Sequence, residues 1–522
     1  MNISMLHKIE KESLFIMILT LPLLHLPQIF SFPILGSNAS LWFFAIAICA
    51  LVYEGIRYGI DIPRNFYNYC AVFALWQVLC LIIGLRTYEY NSYLTIDQLP
   101  VLKRLYDSFF LLHNFSTLSC VKWWLFFRFT KQILFINMEF IILSFLIWHL
   151  YYSNFNQAFR DIRRAFFTLT SFLIAYSLFE LLWLKFGSSV GFSFLVTVNP
   201  LLYDPGSAHG WWPPLLWRNQ LRSMFPEPSF FGIFSAMVIP FLWSYLFEHK
   251  HKGRYIFMIF FYTVMIAATN ARTAIALFGM ELLLLVLSMF TVKSKKYGKT
   301  VLLIVTISAM AFTFNFINIP GNLKNNADLY FDRTIGSLGS TQRYSNNARL
   351  SYLEADFKTA VEHSVFGVGT GLKDAYIDAN LPTFSFSNQE VMKWKYYMHT
   401  KGVLKSGYPG TNKYVDLMAE SGVIGLLLYL LSFGYTLKEL YNFRHYAFMD
   451  YRIILTMISM IALLGAGFSS ITFSNCIGFT LGLLICAVYK FKKNTRLSLS
   501  NVVSSKNEEC MKLNKNNHNG EY

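Results

Sequence analysis

Apolar runs of membrane-crossing length recur along this chain, separated by short basic loops. A bilayer core needs about 20 mostly apolar residues per helical span, because lipid leaves no water to satisfy an exposed backbone. Leu14–Ile34, Phe230–Phe247, Ala274–Phe290 and Val423–Tyr435 are the clearest such runs. The pattern predicts spans near 13–33, 40–56, 68–85, 132–152, 165–186, 229–247, 255–271, 273–292, 300–318, 414–437, 453–471 and 474–490. Composition agrees: 55% of residues are hydrophobic and 14% are charged, whereas soluble domains carry roughly 25% charged residues. The expected fold class is therefore all-α and polytopic, with about 12 transmembrane helices.

Charge sets the expected topology. Basic residues fill every second loop: Arg57 and Arg64; Arg160, Arg163 and Arg164; Lys250, Lys252 and Arg254; Lys293, Lys295, Lys296 and Lys299; Lys438, Arg444 and Arg452. The tail opens with Lys490, Lys492, Lys493 and Arg496. The positive-inside rule then places all these segments and both termini on the cytoplasmic side. The same placement argues against nucleic acid as the partner of a chain with net charge +16, since no basic patch with interleaved aromatics stands outside the membrane. Expected divisions are 1–318 for helices one to nine, 319–413 for a large outer loop domain, 414–490 for the last three helices, and a disordered basic tail at 491–522. Loop 86–131 is ambiguous: Lys122, Arg128 and Lys131 beside Trp123, Trp124, Phe126 and Phe127 read as an interfacial helix.

Seven cysteines form no disulfide framework and no CxxC pattern, and no cluster has metal-ligand spacing. The first span follows only Lys8 and Lys11 and lacks a small-residue cleavage site, so it reads as a retained helix.

Chemistry concentrates at the outer ends of spans. Loop 187–228 holds Arg218 and Arg222, then Pro226-Glu227-Pro228-Ser229 before an apolar run. Glu227 stands at the positive end of a helix dipole, either as a reactive carboxylate or as part of a capping turn. Asn270-Ala271-Arg272-Thr273 lies between two apolar runs. Arg272 either snorkels to the interface or faces a cavity, where its planar fork suits a diphosphate. Glu281, deep in the following span, needs a partner or a polar cavity.

The long outer loop is patterned. Asn346-Asn347-Ala348-Arg349 leads into Leu350, Leu353, Phe357, Ala360 and Val361, an amphipathic helical period ending near His363. Gly367-Val368-Gly369-Thr370-Gly371 lacks a strand-turn-helix context and reads as a turn. Asn412 suits the N-cap of the next helix. Asp416 and Glu420 share one helical face, as a general base or as solvated residues. His399, in a stretch with Lys393, Lys395 and Lys401, reads as a surface histidine on a loop.

Together these pieces resemble the O-antigen polymerase/ligase family of bacterial inner membranes. The resemblance rests on Glu227-Pro228-Ser229 with Gly232, on Asn270-Ala271-Arg272-Thr273-Ala274, on Arg349 followed by Phe366 to Gly371, and on Thr411-Asn412 with Gly422-Val423-Ile424-Gly425. It covers about residues 215–440. Ligases of the family carry a histidine before the asparagine of the closing motif; here Thr411 stands there and cannot act as a base near neutral pH. That departure favours a polymerase over a ligase.

The resemblance implies glycosyl transfer at the periplasmic face of the inner membrane. It implies an undecaprenyl-diphosphate-linked oligosaccharide as donor and another as acceptor, with a chain-length regulator and a flippase as partners in the same membrane. Arg272 and Arg349 would hold the donor diphosphate, helped by Arg218 or Arg222, while Glu227 orients or deprotonates the acceptor hydroxyl. Asn412, Asp416 and Glu420 would line the substrate site. No cofactor or metal is expected, because arginines can supply the positive charge. A ligase acting on lipid A core or protein, and a lipid-linked oligosaccharide flippase, are the alternatives.

Overall fold

The structure, a computed structural model, describes residues 2–32, 35–110, 115–203, 220–248, 251–291, 295–317, 344–469 and 474–495. The described residues are almost wholly helical. Nine of their helices are long and apolar enough to cross a membrane.

Helix α1 (Ile3–Leu19) starts on an Asn2 cap whose side chain accepts from the Met5 amide at 2.9 Å. It ends well short of the expected span 13–33. Pro22 and Pro27 lie just beyond its end, and proline can neither donate to the helical ladder nor avoid the preceding carbonyl. Helices α2 (Ala39–Tyr58) and α3 (Arg64–Thr87) follow the expected spans closely.

The ambiguous segment after α3 is not a loop. Short helical turns precede α4 (Thr117–Tyr151), which starts on the Ser116 cap and passes through a π-helical segment at Met138–Ile142. Thirty-five residues span about 52 Å at 1.5 Å each, well beyond a hydrocarbon core of about 30 Å. In the N-terminal half of α4, Leu125 and Phe129 pack into a second, separate apolar cluster with Leu372 and Ile377.

Next come α5 (Phe155–Phe186), the short α6 (Ser189–Leu202), α7 (Pro228–Glu248), α8 (Gly253–Ala268), α9 (Arg272–Thr291) and α10 (Lys295–Ile317). Helix α7 is the central post: almost every side chain from Phe231 to Leu246 is buried. Gly232 lets it press against Ala274 of α9, since a Cβ there would collide with the Ala274 backbone and side chain. Glu281 of α9 is buried, and its Oε1 has no hydrogen-bond partner.

A helical cap holds α11 (Tyr344–Glu362), α12 (Lys373–Asn380) and α13 (Gln389–Lys401). Three further helices follow: α14 (Lys413–Asn442) and α16 (Ser474–Thr495), both long and apolar enough to cross a membrane, and the shorter apolar α15 (Tyr451–Ala466) between them. Helix α11 has the expected extent, and its buried face is made of small and polar residues. Ala348, Tyr352, Ala355, Asp356, Thr359 and Ala360 point inward, while Leu350, Phe357 and Val361 are exposed. The small residues permit close approach, and Tyr352 meets the polar partners Lys373 and Asp416. Residues 319–343 and the tail beyond 495 lie outside the described residues.

Candidate functional site

The glycine turn and the closing motif form one interlocked element. Asn412 caps α14 as its sequence context predicts, accepting from the Tyr414 and Val415 amides at 3.0 and 3.2 Å. Nearly three turns later α14 breaks at Gly422, whose φ of +70° is left-handed. A break frees backbone carbonyls and amides that need partners. The turn supplies them: Val368 N–H donates to the Ala419 carbonyl at 2.8 Å and Gly369 N–H to the Glu420 carbonyl at 3.0 Å. Val423 N–H donates to the Ser364 carbonyl at 2.8 Å, and Trp76 of α3 caps the Ser421 carbonyl at 2.8 Å. Gly367, Gly369 and Gly371 all have positive φ, so the turn reading holds. The Glu420 side chain accepts from the Gly371 amide at 3.0 Å.

Behind this element lies a buried ionic cluster. Asp416 accepts from Tyr352 at 2.7 Å and forms an ion pair with Lys373, which also donates to the Tyr352 hydroxyl at 2.7 Å. Asp416 is therefore not solvated. Asp356, one turn beyond Tyr352, is fully buried, and neither of its oxygens accepts a hydrogen bond. Burial pushes Asp356 up to about 8, helped by the Asp416 charge and opposed by Lys373. Asp416 Oδ2 is also without a hydrogen-bond partner among the described residues. Burial likewise raises Asp374 to about 7. A second hub is Asp378, which accepts from Tyr408 at 2.7 Å and pairs with Lys395 and His399 at 3.2 and 3.1 Å. His399 stands on α13 and not on a loop.

The arginines lie on the α9 side of the cap. Arg272 is the first residue of α9 and is half-buried; its Nη1 donates to Asn346 Oδ1 at 2.7 Å. Asn346 sits in the first turn of α11, and Arg349 follows one turn later on the exposed surface. Residues three apart on a helix are neighbours, with Cβ atoms about 5–6 Å apart. Arg272 is thus bonded to the same end of α11 that carries Arg349, although 77 positions separate the two arginines in the chain. Arg349 forms no ion pair among the described residues.

Beside them runs the segment that enters α7. Leu221 N–H donates to the Ala268 carbonyl at 3.0 Å, and Gln220 reaches the Asn270 carbonyl at 3.5 Å. The Arg222 and Ser223 amides donate to the buried Glu180 carboxylate at 3.0 and 2.8 Å, and the Arg222 guanidinium covers the Tyr203 ring at 5.1 Å. Glu227 is half-buried just before α7 and accepts from the Ser229 hydroxyl at 3.1 Å. The contact between Gly232 and Ala274 brings the Glu227 end of α7 to the Arg272 end of α9. Ser223 and Asn270 both adopt positive φ (+54° and +49°), a strained geometry that structures tend to retain at functional sites. Arg218 lies outside the described residues.

Lys373, Tyr352, Asp356 and Glu180 were not singled out by their sequence context. The available signal was the polar i, i+4 pair Tyr352 and Asp356 on one face of α11.

Fold and site together define a multi-pass, all-helical protein of membrane type, with a helical cap docked on a broken span and arginines at its edge. A family model described as O-antigen ligase matches residues 256–430, from α8 through the break in α14. The resemblance carried by the four motifs is borne out over that stretch, which contains Arg272, Arg349 and Asn412 but not Glu227. No curated protein matches the chain. The match supports an O-antigen ligase/polymerase-type function, that of a glycosyltransferase-like enzyme in polysaccharide biosynthesis.

Proposed function

We propose that the chain is a polysaccharide polymerase of the bacterial inner membrane. It transfers a polyprenyl-diphosphate-linked glycan onto a second lipid-linked repeat unit at the periplasmic face. The observation that supports the reading is the bond from Arg272 to Asn346 in the first turn of α11, the helix end that also bears Arg349. Two guanidinium groups there supply the fixed, always-charged donors that a diphosphate leaving group requires.

In the reaction an acceptor hydroxyl oxygen attacks the anomeric carbon of the donor. The bond from that carbon to the lipid diphosphate breaks, and the diphosphate leaves with the electron pair, its charge held by Arg272 and Arg349. Glu227 takes the hydroxyl proton. Most of the acceleration comes from positioning and charge stabilisation. Thr411 in place of a histidine favours polymerisation over ligation, since its hydroxyl is no base near neutral pH.

The test is the glycan profile of a deletion strain complemented with wild type, Arg272→Ala, Arg349→Ala or Glu227→Gln at matched membrane abundance. A polymerase defect leaves single repeats attached to their carrier. Long unattached chains would instead identify a ligase, and units retained on the cytoplasmic leaflet a flippase. Wild-type polysaccharide in both arginine variants would remove the mechanism.

A further inference from the structure

At the other end of the bundle four ligand-type side chains converge from three helices. His7 and Glu10 come from α1, Glu54 from the last turns of α2, and His149 from the end of α4. One ligand atom from each lies within 4.8 Å of all the others. The Nε2 atoms of His7 and His149 each lie 3.2 Å from Glu54 Oε1. Their rings meet edge to face at 5.6 Å.

The carboxylates are the anomaly. Glu10 is fully buried and both its oxygens lack a partner; Glu54 is almost as buried and its Oε2 is open. A buried unpaired carboxylate costs several kcal/mol. The nearby lysines do not answer it: Lys8 pairs with Glu12 at the surface, and Lys11 lies over the Tyr151 ring. Two imidazoles and two carboxylates aimed at one point have the composition of a metal site. A tetrahedral ion with bonds of about 2.0–2.1 Å has ligand-to-ligand edges of roughly 3.3 Å, which the two 3.2 Å contacts already match.

We infer that His7, Glu10, Glu54 and His149 form a binding site for a divalent transition-metal ion that ties α1 to α2 and α4. The mixed nitrogen and oxygen set suits zinc and its first-row neighbours, and not magnesium or calcium, which take oxygen ligands. The buried glutamates form the floor, and His7, the most exposed of the four, marks the entry. The site is remote from the arginines. It adjoins the start of α3, whose other end at Gly84 touches Val368 of the glycine turn, and 24 helical residues extend about 36 Å. Sequence spacing could not reveal it, because positions 7, 54 and 149 become neighbours only when three helices pack.

The test uses the full-length chain purified in detergent, stripped with a chelator and titrated with Zn²⁺. One tightly held zinc per chain is expected, with a rise in the thermal unfolding midpoint. Co²⁺ in its place should give the intense visible absorption of a tetrahedral ion. His7→Ala combined with His149→Ala should abolish both signals. Glu10→Gln, nearly isosteric, keeps the test valid if the double variant does not fold, and should weaken zinc binding by about tenfold or more. Zinc binding unchanged in Glu10→Gln, or equal in wild type and a folded double variant, would overturn the inference. So would a folded, stripped wild type that takes up no zinc.

Discussion

Arg272 and Asn346 are joined by a 2.7 Å hydrogen bond that links the first residue of α9 to the first turn of α11. The asparagine oxygen can only accept, so it orients the guanidinium without neutralising it. Hydrogen bonds to charged groups contribute about 1.5–3 kcal/mol. Asn346→Ala should therefore cut polymerised glycan by roughly tenfold while membrane abundance stays near normal. Arg272→Lys should also fail, because an ammonium cannot reproduce the two-pronged donor. Ladder gels of surface polysaccharide, normalised to immunoblots, read both outcomes.

The Lys373 and Asp416 pair is buried beneath the cap. Removing one member of a buried pair strands the other and costs roughly 3–5 kcal/mol, whereas replacing both with apolar groups is often nearly neutral. Lys373→Met should lower the thermal midpoint of the purified protein sharply. Lys373→Met with Asp416→Leu should recover part of the loss. Equal midpoints for the single and double variants would mean that the pair is not coupled.

Asp356 gives the cap a pH dependence. Its folded value, raised by burial to about 8, stands above the unfolded value of roughly 3.9. Such an acid holds its proton more tightly when folded. Its stabilising contribution is complete below about pH 4 and is lost as pH rises through about 8. Asp374, raised to about 7, acts in the same sense. Thermal midpoints should fall between pH 5 and 8, and Asp356→Asn should flatten that slope. An unchanged slope in the variant would assign the dependence elsewhere.

Gly422 occupies a position that no other residue fills comfortably. Its φ is +70°, and a Cβ would run into the Val365 carbonyl. Gly422→Ala should cost about 2 kcal/mol or more, from the left-handed backbone together with the collision. The expected readouts are a lower thermal midpoint and reduced membrane abundance.

Most of the helical layout was legible in the sequence, because apolar length and capping residues are local signals. Asn412 before an apolar run announced the start of α14, and three closely spaced glycines announced a turn. The first span was misjudged because hydrophobicity continues through Pro22 and Pro27 while the helix does not. The amphipathic period of α11 did not say which face is buried: Tyr352 and Asp356 turn inward towards Lys373 and Asp416, while Leu350, Phe357 and Val361 stay exposed. Those partners are 21 and 64 positions from Tyr352, and nothing local in the chain couples them. The resemblance implied a shared role for Arg272 and Arg349, but the bond from Arg272 to Asn346 had no signal in the sequence.

The interlocked turn has a mechanical corollary. The cap is riveted to α14 through main-chain bonds that cannot slide without unwinding the kink, while a side-chain latch from Arg272 reaches it at the far edge. A cap that rocked about the rivet would swing widest at the latch. A gap opened by that motion would therefore appear where the arginines stand, with the hinge at the opposite rim.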